Sequence, residues 1–471
     1  MSDNELRKNA VLNMIKQGCA ILFPFITFSY ASRILGVEQI GGFSFAQSIV
    51  SYFSLIAALG MNNYAVREAT FIREQKEELN TFVNEIFSIN VLFTVIAYLL
   101  LGALLVVNKD VSQYRQMIIL YAITILLTTV GVEWVNLVYE DFRYITLRYI
   151  IIGILALLLL FIFVRKADDI YKYILIVMFS SYGGNIINLF YIRKRLKVRF
   201  TYPFNLRKHV KPLIILFFNR IASVIYLNSD ITLIGIFLDD TQTGKYYAAS
   251  KIYTMAKVLI NALIMAAVPR ASDILAKRNK KEYDNMVIHI LEGILMIVVP
   301  ISVGIVLKSE KIIYLILGEE YIGGAPSLKL LGLALPFAVC AYLFSGVVLI
   351  PNHLEEKFMH ATVIGAGVNI VLNIIFIPNY GISGAAATTL LAEFIVCMLC
   401  CCYSRNILTT NPDIRLILIV LIGSVTVCGI CILTDILIKQ FLLDLFLSIL
   451  TSAIFYAGII CLYWKKRRNG R

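Results

Sequence analysis

The chain has 471 residues, of which 59% are hydrophobic and 15% charged, and its mean hydropathy is +0.80. Soluble globular proteins carry about 25% charged residues, so the composition excludes that class. The formal net charge is +13, and apolar runs of about 20 residues, enough to cross roughly 30 Å of hydrocarbon, recur from end to end. The sequence therefore predicts an all-α polytopic membrane protein.

Hydropathy predicts about 14 transmembrane helices. In chain order these spans are 10–33, 40–66, 82–107, 115–138, 146–164, 172–192, 211–238, 246–269, 286–307, 327–350, 358–377, 385–404, 414–434 and 442–463. The partly apolar segment 308–326 is predicted to be a loop with a short interfacial helix.

Most Lys and Arg residues of the predicted loops lie on the side that also holds both termini. Because cytoplasmic loops carry the excess of basic residues, both termini are predicted to be cytoplasmic. The net charge is therefore mainly an orientation signal. The basic connector 193–211 lies on this side, where anionic lipid head groups are a plainer partner than nucleic acid.

Two short segments of the first half reappear in the second half. GFSFAQS (42–48) matches GKYYAAS (244–250), and EDFRYIT (140–146) matches EKFMHAT (356–362). Both matches pair span n with span n+6, which indicates two parallel six-helix lobes. The predicted regions are an N-terminal lobe at 1–192, the connector at 193–211, a C-terminal lobe at 212–404, and two further helices with a basic tail at 405–471.

Apart from Arg415, which begins span 13 and can reach the interface, four cations lie inside the predicted spans: Lys16 in span 1, Arg220 in span 7, and Lys251 and Lys257 in span 8. Each costs about 2.5–3.5 kcal/mol at the bilayer centre, a cost that a water-filled cavity largely removes. With Arg33, at the outer end of span 1, they form a predicted cationic central cavity. Such a cavity suits an anionic substrate, and phosphate is a common anion at membranes.

Lys251 and Asp230 lie at similar depths in neighbouring spans, and an ion pair between them is one prediction. That pair does not exclude a role for Lys251 in the cavity. Lys257 lies near the membrane midplane and has no obvious partner in the sequence. It is therefore the cation most strongly expected to meet substrate.

Polar residues inside other spans have two interpretations. Glu133 in span 4 and Glu393 in span 12 either pair helices or bind a coupling ion, H⁺ or Na⁺. Asn369 and Asn373 share one face of span 11, where they either form interhelical hydrogen bonds or line the cavity. No other cofactor is predicted.

No catalytic or metal site is predicted. The nine cysteines lie in apolar segments, and the two Cys-x-x-Cys pairs, 397/400 and 428/431, would lie at different depths, too far apart for one zinc ion. The four histidines lie in or near predicted cytoplasmic loops, and no nucleophile–base set is visible. A membrane enzyme such as a glycan polymerase is therefore the less favoured class.

Residues 24–68 resemble the opening of the Wzx-type polysaccharide flippases, part of a superfamily that includes MATE exporters and MurJ. The similarity lies in Arg33-Ile-Leu-Gly36, Gly41-Gly42-Phe43 and Gly60. EWVNLVYEDFRYIT (133–146) is similar to the family's segment at the end of span 4, although Val138 stands where glycine is expected. Leu349-Ile-Pro351, Asn369, Asn373 and PNYGISGAAATTLLAE (378–393) resemble its second-half signature.

The resemblance implies alternating access and an undecaprenyl-diphosphate-linked oligosaccharide repeat unit as substrate. It places the protein in the bacterial cytoplasmic (inner) membrane, in O-antigen, lipopolysaccharide or capsule biosynthesis. Membrane lipids and other assembly proteins, a polymerase and a chain-length regulator, are the expected partners. The alternatives are a lipid II flippase and a MATE-like multidrug or cation antiporter, whose substrate calls for carboxylates in the cavity.

Overall fold

The computed structural model describes residues 3–408 and 413–469, and over these residues the chain contains helices and no β-strand. Short 3₁₀ segments occupy Ala167–Asp169 and Glu319–Gly324, and a π-helical segment occupies Phe344–Leu349. The α-helices are α1 Asp3–Ala58, α2 Met61–Phe71, α3 Lys76–Val107, α4 Lys109–Ser112, α5 Arg115–Gly131, α6 Trp134–Val138, α7 Phe142–Phe163, α8 Ile170–Arg193, α9 Leu206–Phe237, α10 Asp240–Met265, α11 Val268–Ala276, α12 Lys280–Leu317, α13 Ala325–Leu343, α14 Glu355–Arg405, α15 Ile414–Leu437 and α16 Phe441–Asn469.

Twelve helical segments of the described chain are long and apolar enough to cross a membrane. Two of them, containing α1 and α14, each hold two predicted spans. α1 is broken at Gly36 (φ 79°) and α14 at Gly381 (φ 59°), backbone conformations that favour glycine. Counted as two spans each, these two segments bring the total to the 14 predicted spans. The predicted all-α membrane fold is confirmed.

The two halves of α14 form an antiparallel hairpin. The Asn369 side-chain amide, twelve residues before Gly381, donates to the hydroxyls of Thr388 and Thr389, which follow the break. These distances are 3.5 and 3.4 Å. The hydrogen bonds cross between the two halves, as expected for spans 11 and 12 running in opposite directions.

The chain divides into two compact units, the first ending at Ile236 and the second beginning at Phe237. Within the first unit, α1 packs against α3, α5 and α7, and α5 packs against α8. Within the second unit, α13 packs against α10, α12 and α14, while α15 and α16 pack against each other and against α12. The sequence-based lobe boundaries, 1–192 and 212–404, stay predictions.

The segment 308–326, predicted to be a loop with a short interfacial helix, is helical as far as Leu317, where α12 ends. The charged start of this segment lowers its hydropathy, yet Lys308 and Lys311 are both neutralised by acidic residues from α15 and α16. Only a local break at Lys308 (φ −107°, ψ 17°) interrupts the helix. The 3₁₀ segment Glu319–Gly324 follows it.

Span 4 is a discontinuous helix. α5 ends at Gly131, Val132 adopts a left-handed conformation (φ 43°), and α6 follows. Two asparagines of α8 hydrogen-bond carbonyls beside this break: Asn185 donates to Leu127 O (3.1 Å) and Asn188 to Gly131 O (2.6 Å). Inside a bilayer no water would satisfy these carbonyls, so the hydrogen bonds from the two side chains stabilise the break.

Candidate functional site

The first unit contains a cluster of three charged side chains around Glu133. Arg148 Nη2 donates to Glu133 Oε1 at 2.8 Å, and Lys16 Nζ lies 3.7 Å from the same oxygen. Glu133 sits immediately after the discontinuity of span 4, Lys16 on α1 and Arg148 on α7. Three separate segments thus bring two cations to one carboxylate, and the cluster carries one net positive charge.

Arg148 is the most buried member of this cluster. Its side chain is 8% exposed, against 40% for Glu133. Gly184 of α8 leaves room for it, because a methyl group there would lie 3.1 Å from Arg148 Nε. The guanidinium lies 5.4 Å from the ring centroid of Tyr144, and its Nη1 has no hydrogen-bond partner in the described part of the chain. Arg148 therefore keeps donor capacity for a further acceptor.

The second unit contains a tighter ion pair. Lys257 Nζ of α10 donates to Glu393 Oε1 of α14 at 2.7 Å, and the Tyr253 hydroxyl donates to the same oxygen at 3.0 Å. The side chain of Glu393 is 6% exposed and that of Lys257 is 21% exposed. The sequence offered no partner for Lys257; the structure supplies Glu393. This carboxylate also pairs helices, one of its two predicted roles.

Asn369 and Asn373 are buried within the α14 hairpin. Asn373 Nδ2 donates to Asn369 Oδ1 at 3.2 Å, and the Thr388 hydroxyl donates to Asn373 Oδ1. The Tyr246 hydroxyl of α10 lies 3.5 Å from Thr389 Oγ1 at the edge of this network. The two asparagines thus take part in the interhelical hydrogen bonding that was one of their predicted roles.

The remaining predicted site residues have different surroundings. Lys251 is half-buried, with its ammonium 5.7 Å from the centroid of the Tyr247 ring. Arg33 and Arg220 are exposed, whereas Asp230 is 8% exposed on α9. The Lys251–Asp230 pair stays a prediction.

A second buried charge cluster joins α12 to α15 and α16. Lys308 Nζ lies 2.9 Å from Asp435 Oδ1 and 2.9 Å from Asp444 Oδ2, and Lys311 Nζ lies 2.6 Å from Asp444 Oδ2. The Lys308 side chain is 2% exposed and that of Asp444 is 0% exposed. The cluster is formally neutral, so it suits helix attachment better than ion binding.

Sequence reasoning missed Arg148 because it was counted with the cytoplasmic loop before span 5, although the predicted span 146–164 contains it, and it missed Lys308 because hydropathy assigned that residue to a loop. Only Tyr149 separates Arg148 from the uninterrupted apolar run 150–164, which was a signal that Arg148 lies inside the span. No sequence pattern indicates that Lys308 contacts Asp444, because the two residues are 136 positions apart in the chain. Among the described residues, no group of three or more His, Cys, Asp or Glu side chains is arranged to hold a metal ion.

An apolar groove of about 680 Å³ runs along α12, α15 and α16. On α12 the lining includes the small residues Gly293 and Gly304. On α15 and α16 it includes larger side chains, among them Val427, Leu445, Ile449 and Tyr456. Lys308 lies in the lining, so the neutral charge cluster borders the groove. The groove belongs entirely to the second unit.

Comparison with known proteins supplies the family. A family model described as polysaccharide biosynthesis protein matches residues 6–275. The chain belongs to this family. An O-antigen transporter by name from Shigella dysenteriae is 24% identical over 394 residues, covering 83% of this chain and 98% of the relative. One of the same name from Escherichia coli K12 is 23% identical over 405 residues, covering 85% and 97%.

This member of the polysaccharide biosynthesis family also resembles a solved structure titled lipid II flippase MurJ, inward closed conformation. The TM-score is 0.77 at 17% identity, with 97% of this chain and 99% of that chain covered. At this identity the likeness shows the fold alone. The family match contains Lys16, Glu133 and Arg148, while Glu393 lies beyond it.

Proposed function

We propose that the protein is a flippase that moves a polyprenyl-diphosphate-linked oligosaccharide repeat unit across the cytoplasmic membrane by alternating access. One observation carries the proposal: each unit holds a cation against a carboxylate inside membrane-crossing helices, Arg148 with Glu133 and Lys257 with Glu393. A diphosphate carries the charge that these cations bind, and Arg presents two parallel N–H groups to phosphate oxygens. Family membership and the names of the relatives point the same way.

The apolar groove supports a lipid-linked substrate. Its walls along α12, α15 and α16 are apolar, and at about 680 Å³ it has room for part of a polyprenyl chain. Because the bilayer is itself apolar, the chain would bind this surface through van der Waals packing and would need no polar contacts. The glycan and diphosphate would cross through the cationic cavity while the chain stays in the apolar phase.

We propose further that the two carboxylates couple transport to an ion gradient. Each carboxylate is paired with a cation of its own unit, Glu133 with Arg148 and Glu393 with Lys257. Protonation of either carboxylate would break its pair and free the cation for phosphate. A proton fits these positions better than Na⁺, because Na⁺ would lie within a few ångströms of an ammonium or guanidinium group.

Transport in cells tests the main proposal. In a strain lacking the gene, Lys257→Ala and Arg148→Gln should leave lipid-linked repeat units accumulated and surface glycan absent. Lys277→Ala is the matched control, because Lys277 is also ion-paired, with Asp273 at 2.7 Å, but is 69% exposed outside the spans. Normal glycan export from both cavity variants, at parental expression, would contradict the proposal.

The second candidate function is lipid II flipping, the activity named for the similar MurJ structure. Expression of this chain after depletion of the resident lipid II flippase separates the two. Restored growth would support lipid II, whereas failure to grow alongside restored glycan export in the deletion strain would support the repeat unit. A MATE-like cation antiporter fits less well, because the described clusters in the spans hold at least as many cations as carboxylates.

A further inference from the structure

The connector between α8 and α9 is hydrogen-bonded along α3. We call residues 194–205 the strap. Three of its backbone N–H groups donate to side chains one helical turn apart on α3: Lys197 to Asn80 Oδ1 (2.7 Å), Arg199 to Asn84 Oδ1 (2.9 Å) and Thr201 to Ser88 Oγ (2.9 Å). Two residues of extended chain span about 6.6 Å and four residues of helix rise about 6.0 Å, so the two repeats match closely.

This ladder fixes which side chains point outward. Leu196 and Val198 are 2% and 6% exposed and join the apolar core of the first unit. The alternate residues Lys197 and Arg199 are exposed. From Leu196 to Arg199 buried and exposed side chains alternate, as in an extended segment, and this leaves Lys197 and Arg199 on the outer face.

Both ends of the strap are also anchored within the first unit. At its start, Arg195 Nη2 lies 3.0 Å from Asp141 Oδ2. Just beyond its end, the buried His209 ring makes hydrogen bonds with the Tyr64 hydroxyl (2.8 Å) and with Glu85 Oε2 (3.0 Å). The outer face of the strap therefore keeps a fixed position on this unit.

The length of α3 places the strap relative to the membrane. Its 32 residues extend for about 48 Å, whereas the hydrocarbon layer is about 30 Å thick. The polar first turns of α3, which include Glu77 and Glu78, therefore extend past the hydrocarbon. Asn80 and Ser88 lie about 12 Å apart along α3, and the last 30 Å or so of this helix begins near Ser88, so we place the strap between the head-group zone and the hydrocarbon edge.

The order of the exposed side chains fits this placement. Lys194, Lys197 and Arg199 come first, and in the described part of the chain none of them forms an ion pair. Phe200 and Tyr202 come next and are 55% and 85% exposed. Cations at head-group depth followed by aromatic rings at the hydrocarbon edge are the order of an interfacial anchor.

We propose that the strap is a binding site for anionic phospholipid, with the phosphate head groups on Lys194, Lys197 and Arg199 and the acyl boundary at Phe200 and Tyr202. The proposal goes beyond the transport function. It rests on the cytoplasmic orientation of the strap, where anionic lipid is concentrated. Exposed aromatic rings beside the cations favour a membrane over an acidic protein segment, which would leave both rings in water.

Fluorescence quenching tests this proposal on the full chain reconstituted in nanodiscs. Tyr202→Trp reports lipid at the strap, and the parent protein gives the signal of its own tryptophans for subtraction. Brominated phosphatidylglycerol, at the same mole fraction as brominated phosphatidylcholine, should quench residue 202 about twofold more strongly. High salt should reduce that preference, since it screens exposed charges.

A matched pair of triple variants makes the test specific. Lys194→Gln, Lys197→Gln and Arg199→Gln together should abolish the preference for phosphatidylglycerol. The control removes three other exposed cations of the predicted cytoplasmic side, Arg270, Arg278 and Lys281, each replaced by Gln, and should retain it. Equal quenching by the two lipids in the Tyr202→Trp protein, or an unchanged preference in the strap variant, would overturn the proposal.

Two competitors identify the source of the anion. Inorganic phosphate at millimolar concentration and soluble polyglutamate should both leave the quenching of residue 202 unchanged. Loss of quenching with phosphate would assign the site to a free anion, and loss with polyglutamate would assign it to an acidic protein segment. Native mass spectrometry provides a second readout without the tryptophan: the parent should retain more phosphatidylglycerol than the strap variant.

Discussion

Lys257 of α10 and Glu393 of α14 form an ion pair with 2.7 Å between Nζ and Oε1, next to the Tyr253 hydroxyl. The carboxylate is nearly fully buried, so the pair depends on both partners. Removing two charges from water costs desolvation free energy, and their mutual attraction offsets that cost only while both charges are present. The pair therefore holds the α14 hairpin to α10.

Removing one partner should destabilise the protein far more than removing both. Lys257→Met leaves Glu393 buried without its cation, and we expect a loss of about 3–5 kcal/mol of stability. The double variant Lys257→Met, Glu393→Leu should recover most of that loss. Thermal unfolding of the purified protein in detergent measures both effects. A double variant as unstable as the sum of its single variants would contradict an interaction between the residues.

Transport should require the planar guanidinium group of Arg148, and not only its positive charge. Arg148→Lys keeps the charge but loses the planar set of donors, and we expect transport to fall by about tenfold or more at unchanged expression. Gly184→Val should have a similar effect, because its side chain would occupy the space of Arg148 Nε. Gly102→Val is a suitable control, since a methyl group there meets nothing within 4 Å.

The Lys308 cluster should control the attachment of α15 and α16 to α12. Lys308→Met leaves the fully buried Asp444 with Lys311 as a cation partner, and we expect a loss of roughly 3 kcal/mol. Lys329→Met removes a more exposed pair with Glu310, at 3.1 Å, and should cost less than about 1 kcal/mol. The melting temperatures of the two variants in detergent give the comparison. Equal shifts would show that burial does not matter here.

The discontinuity of span 4 should depend on Asn188. Asn188→Leu removes the donor to Gly131 O and the acceptor for the Asn136 side chain, which is hydrogen-bonded to Asn188 at 2.5 Å. Each buried polar group left unsatisfied costs about 1–3 kcal/mol. We expect a lower melting temperature and weaker transport, because Glu133 is positioned by this break. Ile186→Leu, an exposed neighbour on α8, should behave like the parent.

The membrane fold and its spans were predictable from the sequence, because hydrophobic length is a local property. Any helix of about 20 apolar residues is driven into the bilayer, whatever its neighbours are. The helix breaks at Gly36 and Gly381 lie in the predicted turns between spans. The end of an apolar run and a glycine that can adopt positive φ are also local properties. The resemblance to polysaccharide flippases, carried by short motifs such as Arg33-Ile-Leu-Gly36, was also readable and is confirmed by the family match.

The partners of the buried charges were decided only by tertiary structure. Lys257 and Glu393 are 136 residues apart, and nothing local to either residue indicates that α10 and α14 pack together. The same holds for Lys308, which hydropathy placed in a loop because it counts a charge as exposed. A charge inside a membrane protein is tolerated when an opposite charge from another helix neutralises it. The sequence thus determines where the helices cross, and packing determines which charges remain available for an anion.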